Sequence, residues 1–179
     1  MRGFSQKALS SFDLTDVKVI EARGEDIPFW VEQLSKKGKK AIGIVGEDLY
    51  SEYCIGKQQI IKVLKRIQWD EPNAVFGKPA LCLIGPKQKE FKFLPKQLKI
   101  CISSKYKKIA ERYLKTVEDR GFSITKFYAN GCLEPVCYEG IADMIVDIVY
   151  TGSSLKKYNL KIYGLIMKSD LLVIGGKND

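Results

Sequence analysis

The stretch from Gly140 to Leu155, GIADMIVDIVYTGSSL, constrains the fold more than any other part of the chain. Met144 to Val149 is a short β-branched apolar run, with the length and composition of a buried strand. It delivers a turn of small hydroxyl residues around one glycine, Thr151-Gly152-Ser153-Ser154, to a helix predicted from Gly152 to Tyr158. A strand, a glycine turn and a helix start together form a phosphate holder. Backbone N–H groups converge on the anion, the glycine allows close approach, and the helix N-terminus adds positive potential. The plain alternative is an ordinary turn in which Thr151 or Ser153 caps the helix. Two carboxylates just upstream weigh against it. Asp143 and Asp147 offer acceptors for ribose hydroxyls, or oxygen ligands for a hard cation such as Mg²⁺. Phosphate, ribose and metal in one place point to a phosphoribosyl substrate.

The rest of the chain alternates strands and helices. Val17 to Ala22 reads as a strand, and Asp26 caps a helix with Pro28 in its first turn, running to about Ser35. Ala41 to Val45 is a buried strand, Gly46-Glu47-Asp48 opens a short helix, and Gln59 to Ile67 is ambiguous between helix and strand. Pro79 to Ile84 is a strand ended by Gly85-Pro86. After a lysine-rich connection the pattern restarts: strand Leu98 to Ile102, helix Tyr106 to Arg120, strand Ser123 to Phe127 and helix Glu134 to Glu139. Leu160 to Met167 and Leu171 to Ile174 close the chain as β-rich pieces. The break near residues 85 to 97 separates two α/β halves. The expected division is a first lobe of 1–85 plus 160–179, its sheet closed by the C-terminal strands, and a second lobe of 86–159. A cleft between lobes is a usual place for a ligand.

Composition narrows the chemistry. Histidine is absent, which excludes His-dependent triads, His metal sites and imidazole bases. The net charge of +9 comes almost wholly from lysine, clustered at 36–40, 87–99 and 105–108. Solvated faces explain each cluster taken alone, while a field that gathers a nucleotide or nucleic acid is the functional reading. Nucleic-acid binding is the weaker of these, because it lacks interleaved exposed aromatics and a recognition helix. No run reaches the roughly 18 apolar residues of a membrane span, and the start, MRGFSQKALSSF, is too polar for a signal peptide core. A cytoplasmic protein is expected. Cys54, Cys82, Cys101, Cys132 and Cys137 contain no CxxC pair and read as reduced thiols.

Six segments in order carry a resemblance. They are Arg23-Gly24-Glu25-Asp26-Ile27-Pro28, AIGIVGEDLYSEY from Ala41 to Tyr53, Phe76-Gly77-Lys78, Ser103-Ser104-Lys105-Tyr106 with Arg112-Tyr113-Leu114, Gly131-Cys132-Leu133-Glu134, and Gly140 to Leu155. Over about residues 20 to 175 the chain resembles the catalytic subunit of ATP phosphoribosyltransferase in its short form, the first enzyme of histidine biosynthesis. The resemblance implies an α/β, two-lobed, periplasmic-binding-protein-like (type II) fold, with mixed sheets flanked by helices. It also implies a reaction, in which the phosphoribosyl group of phosphoribosyl pyrophosphate (PRPP) passes to the adenine ring nitrogen of ATP with Mg²⁺, releasing pyrophosphate.

Roles follow from the same matches. Thr151, Gly152, Ser153 and Ser154 would hold the ribose 5-phosphate, with Glu134, Asp143 and Asp147 completing the PRPP site. Asp147 would meet the ribose hydroxyls or the metal, and Arg23 and Asp147 carry the catalytic assignment. Arg23, Gly46, Asp48, Lys105 and Tyr106 would form the ATP side, although Asp48 also reads as a helix cap and Tyr106 as core. Cys132 replaces a family serine and receives no chemistry. A homo-oligomer, or a hetero-oligomer with a regulatory subunit resembling a histidyl-tRNA synthetase, is expected.

The start departs from the family's pattern. The family opens with an apolar strand and a Lys-Gly-Arg-Leu turn whose arginine is expected to face the pyrophosphate. Here Arg2-Gly3 is followed by Phe4, with Lys7 as a nearby cation, and the chain closes early at Lys177-Asn178-Asp179. The alternative reading is therefore a non-catalytic PRPP- or nucleotide-binding sensor derived from the family.

Overall fold

The computed structural model describes residues 17–58 and 60–176, so Arg2, Gly3, Phe4, Lys7 and Lys177 to Asp179 lie outside the described residues. In chain order the elements are α1 (Ile27–Lys36), β1 (Ile42–Gly46), α2 (Glu47–Cys54), β2 (Ile61–Ile67), β3 (Ala80–Pro86), β4 (Gln97–Ser103), α3 (Lys107–Glu118), β5 (Ser123–Ala129), α4 (Glu134–Tyr138), β6 (Met144–Val149), α5 (Ser153–Lys157), β7 (Leu160–Lys168) and β8 (Leu171–Gly176). They form two compact units. No described helix is long and apolar enough to cross a membrane.

The first unit takes the chain up to Gln68 and again from Asp170. Its sheet has the order β1-β8-β2, with β8 antiparallel to both neighbours. Every residue of β8, LLVIGG, is buried, as a strand paired on both sides and covered by a helix must be. Helix α1 lies on this sheet through Val31. Gly43 permits the approach: a Cβ there would stand 2.5 Å from Ile27 Cγ2 and 2.8 Å from Val31 Cγ2. The ambiguous segment before residue 67 is strand β2, because Ile61, Val63 and Ile67 find partners along β8. Two expectations fail here. Val17 to Ala22 has β-forming residues but pairs with no strand among the described residues, and Val17, Val19 and Ile20 are all about half exposed. Asp26 makes no side-chain capping bond, because it sits inside a 3-10 turn, Gly24–Asp26, that leads into α1.

The second unit, Trp69–Ser169, holds a five-stranded sheet of order β5-β4-β6-β3-β7. Strands β5, β4 and β6 are parallel, and β3 runs antiparallel between β6 and β7. Helices cover both faces. Leu133, Cys137 and Leu155, from α4, α5 and the loop before α4, pack with Cys82, Ile84, Cys101 and Ile145. On the other face α3 buries Ala110, Leu114 and Val117. The expected lobe boundaries move accordingly. Residues 80–85 and 160–168 are expected in the first lobe, but β3 pairs with both β6 and β7, so β3 and β7 belong to the second unit. Only the chain from Asp170 returns to the first unit's sheet, as β8.

Candidate functional site

Within the second unit the chain runs from β4 through α3 out to β5, then crosses back through α4 to β6 on the other side of β4. Strand order therefore reverses at β4. The carboxyl ends of parallel strands at such a reversal leave a crevice between diverging loops, which is where open α/β sheets bind ligands. Three loops open there: Ser104–Tyr106 after β4, residues 130–133 after β5, and residues 150–152 after β6.

Acidic groups meet at this edge. Asp147, on β6, is half-buried, and its Oδ1 accepts the Ile148 N–H at 2.8 Å. Burial pushes its carboxyl up to about 6, helped by the negative charge of Glu134; the Ile148 hydrogen bond and the positive charge of Lys105 work against the rise. Lys105 after β4, Glu134 at the start of α4 and Asp147 on β6 thus lie in one electrostatic neighbourhood. Glu134 opens α4, and the Cys132 thiol donates to its Oε2 at 2.9 Å. That hydrogen bond, then burial and the charges of Glu134 and Asp147, hold the Cys132 thiol above its ordinary value.

The glycine turn lies at the end of β6. Gly152 has φ +73° and ψ 8°, a left-handed conformation that suits glycine. A Cβ at Gly152 would stand 3.0 Å from Val75 Cγ2, in the segment whose Val75 N–H donates to the Tyr150 carbonyl at 2.8 Å. Thr151 Oγ1 and Ser153 Oγ are 2.9 Å apart. Thr151, Ser153 and Ser154 are exposed, while Leu155 anchors the turn in the core. Neither Thr151 nor Ser153 caps the helix: Gly152 occupies the N-cap position without a side-chain bond, and α5 is five residues long.

Other predicted residues fall elsewhere. Asp143 precedes β6, at the opposite end of the strand from the turn. Its Oδ2 accepts the Lys99 N–H at 2.8 Å and its own N–H donates to the Lys99 carbonyl at 2.8 Å, so it clips β6 to β4. It lies about 13 Å of extended chain from Asp147, on the side away from the turn, and its carboxylate is engaged by the Lys99 N–H. Tyr106 is 5% exposed and belongs to the core, so it offers no free ring face for adenine. Lys105 is exposed on the loop after β4.

Arg23, Gly46 and Asp48 are in the first unit. Arg23 is exposed, but it precedes the Gly24–Asp26 turn rather than ending a strand. Gly46 is the N-cap of α2, and Asp48 is buried in that helix's first turn. The sequence reading missed two features. One is the Cys132–Glu134 contact, visible in hindsight as an i, i+2 pair before Pro135. The other is the Arg66 guanidinium, which donates to both Glu47 carboxylate oxygens and approaches Asp170 Oδ2 at 3.5 Å. Residues so distant in the chain leave no local signal. Among the described residues no group of three or more His, Cys, Asp or Glu forms a metal cluster.

The family model described as HisG, ATP phosphoribosyltransferase, matches residues 23–179. The chain is 32% identical over 178 residues to an ATP phosphoribosyltransferase of Campylobacter concisus, covering 94% of this chain and 78% of that one. It is 31% identical to an ATP phosphoribosyltransferase of Metallosphaera sedula, covering 90% of this chain but 51% of that one. The chain thus spans about half the length of some of its relatives. Among solved structures, the ATP phosphoribosyl transferase (HisG:HisZ) complex from Thermotoga maritima aligns with a TM-score of 0.67 at 22% identity, covering 96% of this chain and 82% of that one. The periplasmic aliphatic sulphonate binding protein SsuA from Escherichia coli aligns with a TM-score of 0.60 at 11% identity, over 98% and 60%. At these identities the likeness shows the fold, which is the periplasmic-binding-protein-like one.

Proposed function

The chain belongs to the ATP phosphoribosyltransferase family, and from that premise we propose that it transfers the phosphoribosyl group of PRPP to the adenine ring nitrogen of ATP, releasing pyrophosphate, as the first step of histidine biosynthesis. The observation that supports this reading is the electrostatic coupling of Asp147 with Glu134 on β6 and α4, at a reversal of strand order where β6 also leads into the exposed Thr151–Ser154 turn.

The turn receives the 5-phosphate. Thr151 and Ser153 hydroxyls already point close enough to share a hydrogen bond, so both can re-aim at one anion. Asp147 and Glu134 accept the ribose hydroxyls. The donor set also fits Mg²⁺, which is usually held by one or two carboxylates together with substrate phosphates and water. Bound there by Asp147, the ion would offset charge on the departing pyrophosphate.

The adenine nitrogen attacks through its own lone pair while the bond from the anomeric carbon to pyrophosphate breaks. No base is needed to expose that lone pair, so a chain without histidine can run the reaction. Positive charge develops on the sugar, as in glycoside hydrolysis, and the fixed negative charges of Asp147 and Glu134 stabilise it. Lys105 meets a phosphate, and Arg23, Gly46 and Asp48 are assigned to ATP. By analogy with the Thermotoga complex, the active assembly includes a HisZ-like regulatory subunit. The cytoplasm is its proposed place of work.

The test is to incubate the pure protein with ATP, PRPP and Mg²⁺, with and without a HisZ-like subunit, and to follow phosphoribosyl-ATP and pyrophosphate. Equal amounts of both products support the reading. Saturable PRPP binding with no product in either case would replace the transferase by a PRPP sensor.

A further inference from the structure

We propose that Cys132 is a positioning residue for Glu134, holding one carboxylate oxygen so that the other is presented to the ribose hydroxyls of PRPP. The inference rests on the PRPP reading of this site and adds a residue to it. Cys132 stands apart from the other cysteines. Cys82 and Cys137 are buried and donate to backbone carbonyls, of Ala80 and Asp143 respectively. Cys132 is exposed, and its partner is a side-chain carboxylate at the carboxyl edge of the parallel strands.

The local backbone is built to make this contact persist. Between the two residues Leu133 is fully buried in the core, which fixes the loop from below. Pro135 follows Glu134 in the first turn of α4, restricting the backbone at Glu134, and the Val136 N–H donates to the Leu133 carbonyl at 2.9 Å. With the main chain held, the remaining freedom of Glu134 is in its side chain, and the thiol at 2.9 Å restrains it. A glutamate whose rotamer is already selected loses less entropy when PRPP binds.

The thiol does this as a neutral donor. Glu134 and Asp147 disfavour its ionisation, since a thiolate would put a third anion beside them. Cys132 is therefore a hydrogen-bond donor at this site and not a nucleophile.

Three variants test the assignment: Cys132→Ala, Cys132→Ser and Glu134→Gln. PRPP affinity in the presence of Mg²⁺, KM for PRPP, kcat and Tm are measured. Losing one such hydrogen bond predicts that Cys132→Ala weakens PRPP binding and raises its KM on the order of 3- to 10-fold, with kcat and Tm little changed. Cys132→Ser, which keeps a donor, restores wild-type values. A Cys132→Ala protein that binds PRPP like wild type, or a serine variant as weak as alanine, overturns the proposal while leaving the PRPP site intact. Wild-type protein that fails to bind PRPP overturns both. One arm needs no PRPP: the pH profile of Cys132 alkylation by iodoacetamide, read by mass spectrometry. Glu134→Gln is expected to shift that profile to lower pH, and an unchanged profile would show that no tether exists.

Discussion

Asp147 carries opposite consequences for stability and for binding, which makes it the most informative single residue. Its carboxyl titrates near 6 in the folded protein against an ordinary value of 3.8, so the folded state holds this proton more tightly than the unfolded chain does. Ionised Asp147 therefore costs stability at neutral pH, and the folded state gains as pH falls from about 6 towards 3.8. Asp147→Asn is expected to raise stability at pH 7.5 by about 1–2 kcal/mol, a value discounted for partial exposure. That gain should shrink as pH falls from about 6 and be nearly gone by 3.8, as denaturant unfolding across pH would report. PRPP affinity should move the other way: it falls in wild type as pH drops through 6, while the variant is weaker above pH 6 and loses this dependence. The residue scale also separates what spacing can and cannot reveal. Asp143 and Asp147 are legible in the sequence as two acids just upstream of the turn. Only the register shows that four residues of strand carry Asp143 to the far end, where it clips Lys99.

Elements were legible where apolar runs had partners in the folded protein. The strands β3, β4, β6 and β8 follow from short runs rich in Leu, Ile and Val, and α3 from its periodic Ala110, Leu114 and Val117. Val17 to Ala22 shows the limit, because β-propensity is expressed only against a neighbour. Contacts between elements were not legible at all. Tyr113 on α3 reaches β7 at Gly164, where a Cβ would lie 1.9 Å from the Tyr113 hydroxyl and 3.0 Å from its ring carbon. Gly164→Ala is expected to destabilise by about 1–3 kcal/mol through overpacking. In a Tyr113→Phe background, with the hydroxyl gone, the same substitution should cost less. A double-mutant cycle by denaturant unfolding measures the difference, and purely additive costs would refute the contact.

At the scale of the molecule, the sequence reading recovered two α/β units and the late return of the chain to the first. The boundary was misplaced because the break at residues 85 to 97 looked like a linker. It is instead a connection inside one sheet, and pairing of β3 with β6 and β7 has no signature in local composition. Since Trp69–Ser169 is one continuous stretch with all its strands paired internally, a fragment of these residues is expected to fold cooperatively alone. A fragment ending at Gln68 lacks β8, the central strand of the first unit, and is expected to remain unfolded. Circular dichroism with thermal melting distinguishes these outcomes.

The central claim is that the Thr151–Ser154 turn at the reversal of strand order holds the phosphate of PRPP. Its most direct test is calorimetric titration of PRPP with Mg²⁺ into the wild-type protein and into a Thr151→Ala, Gly152→Pro variant of matched Tm. Proline fixes φ near −65°, which Gly152 at +73° cannot accommodate without remaking the turn. Saturable wild-type binding, weakened on the order of 100-fold or more in the variant, is predicted from the loss of several phosphate hydrogen bonds. Equal affinity in the two proteins would contradict the assignment.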